Sequence, residues 1–192
     1  EDVQYFGVDI NPNCKQFEDK NVKVLIGSQT DENFLKNLVE TLPEMDIIID
    51  DGGHMMNQQI LTFKHLYNLV KDDGIYLCED VCTSYWSEYG GGYKNKSTFI
   101  EFSKQLIDKQ NAFYSKTVLL KPDDFTYSNT SITFYDGIVA FHKKKRQKPK
   151  SLQKGKRFFE PEDDYKPEFL KKKTSLLDRF YKFYIKLRYF KS

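Results

Sequence analysis

The sequence predicts an α/β domain whose mostly parallel sheet is closed by an antiparallel hairpin, and three observations carry that reading. Two short apolar runs, Ile47-Ile48-Ile49-Asp50-Asp51-Gly52-Gly53-His54 and Gly74-Ile75-Tyr76-Leu77-Cys78-Glu79-Asp80, stop abruptly at carboxylates. Buried parallel strands look like this where their carboxyl ends open onto a cleft. Segments with helical periodicity lie before and between them. Finally, two β-rich runs meet at Asp136-Gly137, a strong hairpin signal because a type I′ turn needs positive φ at both central positions.

A chain of 192 residues with a hydrophobic fraction of 39% can bury one sizeable core and still carry a polar tail. Its charge is divided. Residues 1–142 hold 12 Lys+Arg against 22 Asp+Glu, whereas residues 143–192 hold 18 against 6, so an acidic folded domain (1–142) and a basic tail (143–192) are expected. The three cysteines, Cys14, Cys78 and Cys82, have neither zinc-site nor disulfide-framework spacing, which fits a reducing compartment and a cytoplasmic location. No run of about 18 apolar residues and no signal peptide stand out. No internal repeat is evident.

In chain order, Tyr5-Phe6-Gly7-Val8-Asp9-Ile10 reads as a strand ending in an acid and stopped by Asn11-Pro12-Asn13. Val22 to Ile26 is the next strand and runs into Gly27-Ser28-Gln29-Thr30. Asp31 is placed to N-cap a helix with Phe34, Leu35, Leu38 and Leu42 on one face. Met56, Ile60, Phe63, Tyr67 and Val70 recur at helical spacing after the Asp50-Asp51 strand, and Asp72-Asp73-Gly74 ends that connection and restarts a strand. His65 reads as a structural histidine. Beyond Asp80, Val81 to Trp86 leads to a loop with Gly90-Gly91-Gly92. Thr98 and Glu101 have capping-box spacing ahead of a helix bearing Phe99, Phe102, Leu106 and Ile107. Thr117 to Leu120 then precedes the strands Ser131 to Tyr135 and Ile138 to His142.

Ligands of open α/β sheets bind beyond the carboxyl ends of the strands, which would gather Asp51, His54, Glu79 and Asp80 around one small volume. Carboxylates with an imidazole suit a hard divalent cation. Asp9, at the end of its own strand, is placed to accept hydrogen bonds from ribose hydroxyls or to cap a turn. Each residue also has a plain structural reading, since acids terminate strands and cap turns. Their joint occurrence at two adjacent strand ends favours a site.

These residues resemble a known family. Asp50-Asp51-Gly52-Gly53-His54, Glu79-Asp80 followed by Thr83-Ser84-Tyr85-Trp86, Gly27-Ser28-Gln29-Thr30-Asp31 and Phe134-Tyr135-Asp136 are similar to the metal-dependent S-adenosylmethionine (SAM) O-methyltransferases that act on sugars. That group contains the mycinamicin-type macrolide sugar methyltransferases and is related to the cephalosporin hydroxylase and rhamnosyl O-methyltransferase family. The resemblance covers roughly residues 4–142 and departs at Gly53, where the family has a small residue such as Ser. It implies a Rossmann-like class I methyltransferase sheet and methylation of a hydroxyl of a sugar or glycoside, with SAM and Mg2+ or another divalent cation as cofactors. It further implies Asp51, Glu79 and Asp80 as metal ligands, His54 as general base, and Asp9, Gly27, Ser28, Gln29 and Asp50 at the cofactor. Apart from the resemblance, Tyr85 and Trp86, with Tyr89 and Tyr93 around three glycines, read as a mobile aromatic wall for a sugar, and Trp86 equally as ordinary core. The family's first strand and glycine loop belong upstream of Asp9, where only eight residues stand, so an N-terminally incomplete domain is expected.

Two alternatives accompany that reading: a hydroxylase-like enzyme on the same scaffold, and a non-catalytic fragment or binding module acting through its basic tail. Lys143 to Arg157 carries nine basic residues in fifteen and reads as disordered or as an electrostatic patch. Leu176, Leu177, Phe180, Tyr184 and Leu187 then mark a basic amphipathic helix suited to another domain, to its own sheet or to peripheral contact with an anionic membrane. No aromatic interleaving or reading module points to nucleic acid.

Overall fold

A computed structural model describes residues 3–152 and 154–156. The chain divides into a unit Glu1–Lys150 and a unit Ser151–Ser192; the amphipathic helix expected at 176–187 lies outside the described residues. In the first unit the order is β1 (Tyr5–Asp9), β2 (Val22–Ile26), α1 (Glu32–Thr41), β3 (Met45–Asp50), α2 (Met56–Leu66), β4 (Val70–Cys78), α3 (Phe99–Gln110), α4 (Asp124–Ser128), β5 (Asn129–Tyr135) and β6 (Ile138–Lys143). Short 3-10 turns fill several of the connections.

The strands form two sheets. β1 pairs with β2 in parallel, Asp9 opposite Ile26. The other sheet has the order β3-β4-β6-β5, with β3 parallel to β4 and the β5–β6 hairpin antiparallel at its far side. Asp50 pairs with Cys78, so the two acidic strand ends finish side by side. Only Gly137 of the hairpin turn takes positive φ, at 73°, so the turn is not of the expected type I′; a Gly at the second central position alone suffices to reverse the chain there.

Local chemistry explains most boundaries. Asp31 accepts from the N–H groups of Asn33 and Phe34 and starts α1 as expected. Thr98 likewise caps α3 through the Glu101 N–H, but Glu101 turns its carboxylate to Lys104 at 2.6 Å instead of closing the box. Helix α2 stops at Leu66, and Val70 belongs to β4, which runs through Asp72-Asp73-Gly74 instead of restarting after it. The sheet absorbs the extra residues as an irregularity: Met45 faces Val70 while Ile47 faces Ile75, and Asp73 takes φ 66°. Residues 117–120 form no strand, and Val118 is 77% exposed.

One core lies on a single face of the larger sheet, where Leu35 and Leu38 of α1, Met56 and Phe63 of α2 and Phe99 of α3 meet Tyr76, Cys78, Val139 and Phe141. Phe63 is its hub, with ring centroids 4.5 Å from Phe141, 5.0 Å from Tyr67, 5.1 Å from Tyr76 and 5.5 Å from Phe102. The opposite face differs from the buried strand expected at β3. Ile47 and Ile49 are 59% and 57% exposed, because the packed helices cover only the Ile48 side and β3 is an edge strand of its sheet.

The basic residues at the end of β6 and just after it are held against the body. Lys143 donates to Asn68 O, Lys144 pairs with Asp73 at 2.6 Å, and the Lys145 N–H donates to Asp72. The Arg146 guanidinium donates to the carbonyls of Gln110, Thr126 and Asn129 and lies over the Phe113 ring. Its planar fork suits several carbonyls at once, including orphans at the end of α3.

Candidate active site at the strand ends

Three side chains converge at the tips of β3 and β4. Asp51, His54 and Asp80 each offer one ligand atom, and these atoms lie within 4.8 Å of one another. His54 Nε2 is 3.7 Å from an Asp80 oxygen and 4.0 Å from an Asp51 oxygen. The carboxylates are more than half exposed, whereas the imidazole is four-fifths covered, with Nδ1 buried and unpartnered among the described residues. Two residues of this group take the left-handed conformation, His54 at φ 57° and Asp80 at φ 48°. Non-glycine residues held there store roughly 1–3 kcal/mol each, and such strain clusters at functional sites.

Glu79 is not among the three. Its backbone is fixed on both sides, the N–H donating to Asp50 O at 2.9 Å and the carbonyl accepting from Gln59 Nε2 at 3.1 Å, while its side chain is half-buried.

Asp50 sits beneath the site. It is 4% exposed and accepts from Gln29 Nε2 at 2.6 Å and from the Tyr76 hydroxyl at 3.2 Å. Burial raises its pKa despite those bonds and raises that of Tyr76 as well. A carboxyl whose folded pKa is raised favours folding only while protonated, so ionising Asp50 costs stability as pH rises through its folded pKa.

Gln29 ties the two sheets together at this level. While its Nε2 donates to Asp50, its Oε1 accepts from the Gly53 N–H at 2.9 Å, bracing the loop that carries Asp51 and His54. The other residues expected near a cofactor gather at the ends of β1 and β2. The Gly27 N–H donates to Asp9 O at 2.9 Å, the Asp9 carboxylate accepts from the Asn11 N–H, and Ser28 Oγ lies 2.8 Å from Thr30 Oγ1. Tyr85 and Trp86 are 54% and 46% exposed, and Trp86 lies against Tyr89 with centroids 5.8 Å apart. Both stand at the surface after β4, so Trp86 is not core. His65 pairs with Glu32 at 3.7 Å between α2 and α1, the structural role expected of it.

The donor set fits a hard cation. The carboxylate oxygens of Asp51 and Asp80 lie within 4.8 Å of each other, near the limit of about 4.2 Å for two ligands of an octahedral magnesium at about 2.1 Å.

Comparison with known proteins gives this geometry a setting. No known protein-family profile matches the chain. It is 33% identical over 104 residues to 8-demethyl-8-alpha-L-rhamnosyl tetracenomycin-C 2'-O-methyltransferase of Streptomyces olivaceus, covering 54% of this chain and 27% of that protein. It is 38% identical over 106 residues to the 3'-O-methyltransferase acting on the 2-methoxy-rhamnosyl compound in the same organism, with the same coverage. With mycinamicin VI 2''-O-methyltransferase of Micromonospora griseorubida it shares 31% over 108 residues, 55% of this chain and 27% of that one. The chain thus spans about a quarter of the length of these sugar O-methyltransferases. Among solved structures it is similar to the MycE methyltransferase of mycinamycin biosynthesis in complex with Mg, SAH and mycinamycin VI, with TM-score 0.68, 25% identity, and coverage of 74% of this chain and 36% of that one. The body of the chain has the class I methyltransferase fold.

Proposed function

We propose that this protein is a SAM- and divalent-metal-dependent O-methyltransferase that methylates a hydroxyl of a sugar or glycoside. The observation that carries the reading is the convergence of Asp51, His54 and Asp80 at two adjacent parallel strand ends. The similarity to sugar O-methyltransferases and to a magnesium-bound relative supports it.

Asp51 and Asp80, with Glu79 as a third carboxylate, would hold the ion. Bound there, a magnesium-like cation would lower the pKa of an acceptor hydroxyl and fix its direction of attack. His54 then accepts the hydroxyl proton at Nε2, and the imidazolium so formed is stabilised by the two carboxylates within about 4 Å of it. Asp9 would hold the SAM ribose, and Gly27, Ser28 and Gln29 would lie near its adenine. Asp50, also expected at the cofactor, is buried and would act through Gln29, which it holds and which braces the loop. Tyr85 and Trp86 would flank the sugar ring, whose apolar face suits aromatic contact. Among the described residues no helix is long and apolar enough to cross a membrane; the basic tail would supply peripheral contact with an anionic membrane surface or another domain.

The test, in the protein extended upstream by about 40 residues to supply the strand and glycine loop expected before Asp9, is release of S-adenosylhomocysteine from SAM with rhamnosyl and related deoxysugar glycosides as acceptors. Turnover should vanish with EDTA and return with Mg2+. His54→Ala should lower it by about 10²–10⁴-fold while SAM affinity stays within about twofold, because the imidazole acts on the acceptor and not on the cofactor. EDTA-resistant turnover would exclude the metal, and equal loss of SAM affinity would make His54 structural. A chain without SAM affinity that binds anionic vesicles only with residues 143–192 present would instead be a binding module.

A further inference from the structure

The site contains a side chain that none of its expected chemistry uses. Thr83 is 2% exposed, and its hydroxyl lies 3.1 Å from the His54 carbonyl and 2.9 Å from the Asp80 carbonyl. These are the two residues of the site whose backbones are left-handed. A threonine hydroxyl has one hydrogen to give. Asp80 O already accepts the Thr83 N–H at 3.1 Å, so the carbonyl that depends on the hydroxyl is that of His54. The loop after β3 and the turn after β4 are thereby joined, 29 residues apart in sequence, at the backbone of His54 itself.

We propose that Thr83 is the positioning residue of this site: its hydroxyl holds the left-handed His54 through its carbonyl while its backbone N–H holds that of the left-handed Asp80, so that the imidazole and the carboxylates meet. The inference rests on the cation reading given above. The neighbouring contacts explain why one hydroxyl matters. Beyond Asp80, the Val81 N–H is fixed to Gly137 O at 3.0 Å, and beyond His54 the Met55 N–H is fixed to Gln58 Oε1 at 3.1 Å. Each loop is thus anchored on its outer side to its own surroundings. Thr83 supplies the link between them. Its other face carries the aromatic loop, for a Cβ on Gly91 would stand 2.4 Å from Thr83 O, so that loop rests directly on the Thr83 backbone. The position of the acceptor wall is therefore set from the same residue as the cation ligands. Thr83 touches no reacting atom, and it acts through what it holds.

Thr83→Val keeps the shape and removes the hydroxyl, while Thr83→Ser keeps the hydroxyl. In the full chain, titration calorimetry with Mn2+ should show affinity reduced by about 10–100-fold in the valine variant, the loss typical of an outer-shell partner, and within about twofold of the parent in the serine variant. Thermal melts establish that each variant is folded at the assay temperature. A second readout does not involve metal: the three histidines give separable ring resonances, with His54 assigned by its loss in His54→Gln. The His54 ring shifts should move in Thr83→Val and return in Thr83→Ser. A valine variant with parental Mn2+ affinity overturns the proposal. If the parent chain itself binds no Mn2+, the cation reading falls, and the ring spectrum decides the role of Thr83, with unmoved His54 resonances counting against it.

Discussion

Asp51→Asn should reduce the affinity of the chain for Mn2+, as a stand-in for magnesium, by at least about a hundredfold. Removal of an outer-shell partner alone typically costs about 10–100-fold, and Asp51 is proposed to touch the ion itself. The side chain is 58% exposed and makes no side-chain hydrogen bond among the described residues, so the amide replaces it without disturbing the core. The melting temperature should therefore stay where it is while binding is lost, a separation that a structural carboxylate would not give. Asp80→Asn, 62% exposed, should behave alike. Calorimetric titration of the two variants decides the matter, and parental affinity in both would remove the cation from the mechanism.

Phe63→Ala should have the largest effect on folding. The ring is 4% exposed and packs against Tyr67, Tyr76, Phe102 and Phe141, so its loss removes buried apolar surface and leaves a cavity between helix and sheet. Such truncations cost about 3–5 kcal/mol, a large share of the roughly 5–15 kcal/mol that holds a domain together. Urea unfolding measures it directly. A loss below about 1 kcal/mol would mean that the core collapses to fill the space. The site would suffer too, because Phe63 packs against Tyr76 and the Tyr76 hydroxyl holds Asp50.

The parts of this structure that follow from neighbouring residues were legible in the sequence. β2 spans Val22–Ile26 as its composition dictates, and Asp31 caps α1 because an acid before an apolar-periodic run has little else to do. Asp51, His54 and Asp80 were legible for a similar reason: polar residues at the end of an apolar strand have to emerge at its tip. What depended on distant partners was not legible. Val70 continues the helical spacing of α2, yet pairing with Met45 draws it into β4. Asp123 and Thr126 cap each other to start α4, a five-residue helix too short to show periodicity. The basic run after β6 gives no hint that Arg146 is held by three carbonyls drawn from residues 110, 126 and 129. Gln29 stands in a loop that reads as cofactor-facing, but its amide reaches Asp50, 21 residues away. Thr83 reads as one polar residue among several, and only the fold brings its hydroxyl to the His54 carbonyl.

The separation of the strands into two sheets affects how the molecule opens. Within each sheet, backbone pairing makes neighbouring strands rise and fall together; between β1–β2 and the β3-β4-β6-β5 sheet no such ladder runs. Among the described residues the α1 connection, packed on α2, and the Gln29 side chain couple them. Local opening free energies follow cooperative units of this kind. Amide protons of β1 and β2 should therefore exchange with solvent well before those of Tyr76 and Phe141, which a time course of deuterium uptake would resolve. The end of the site proposed to hold a nucleoside would then breathe on its own clock, while the end proposed to hold a cation stays closed.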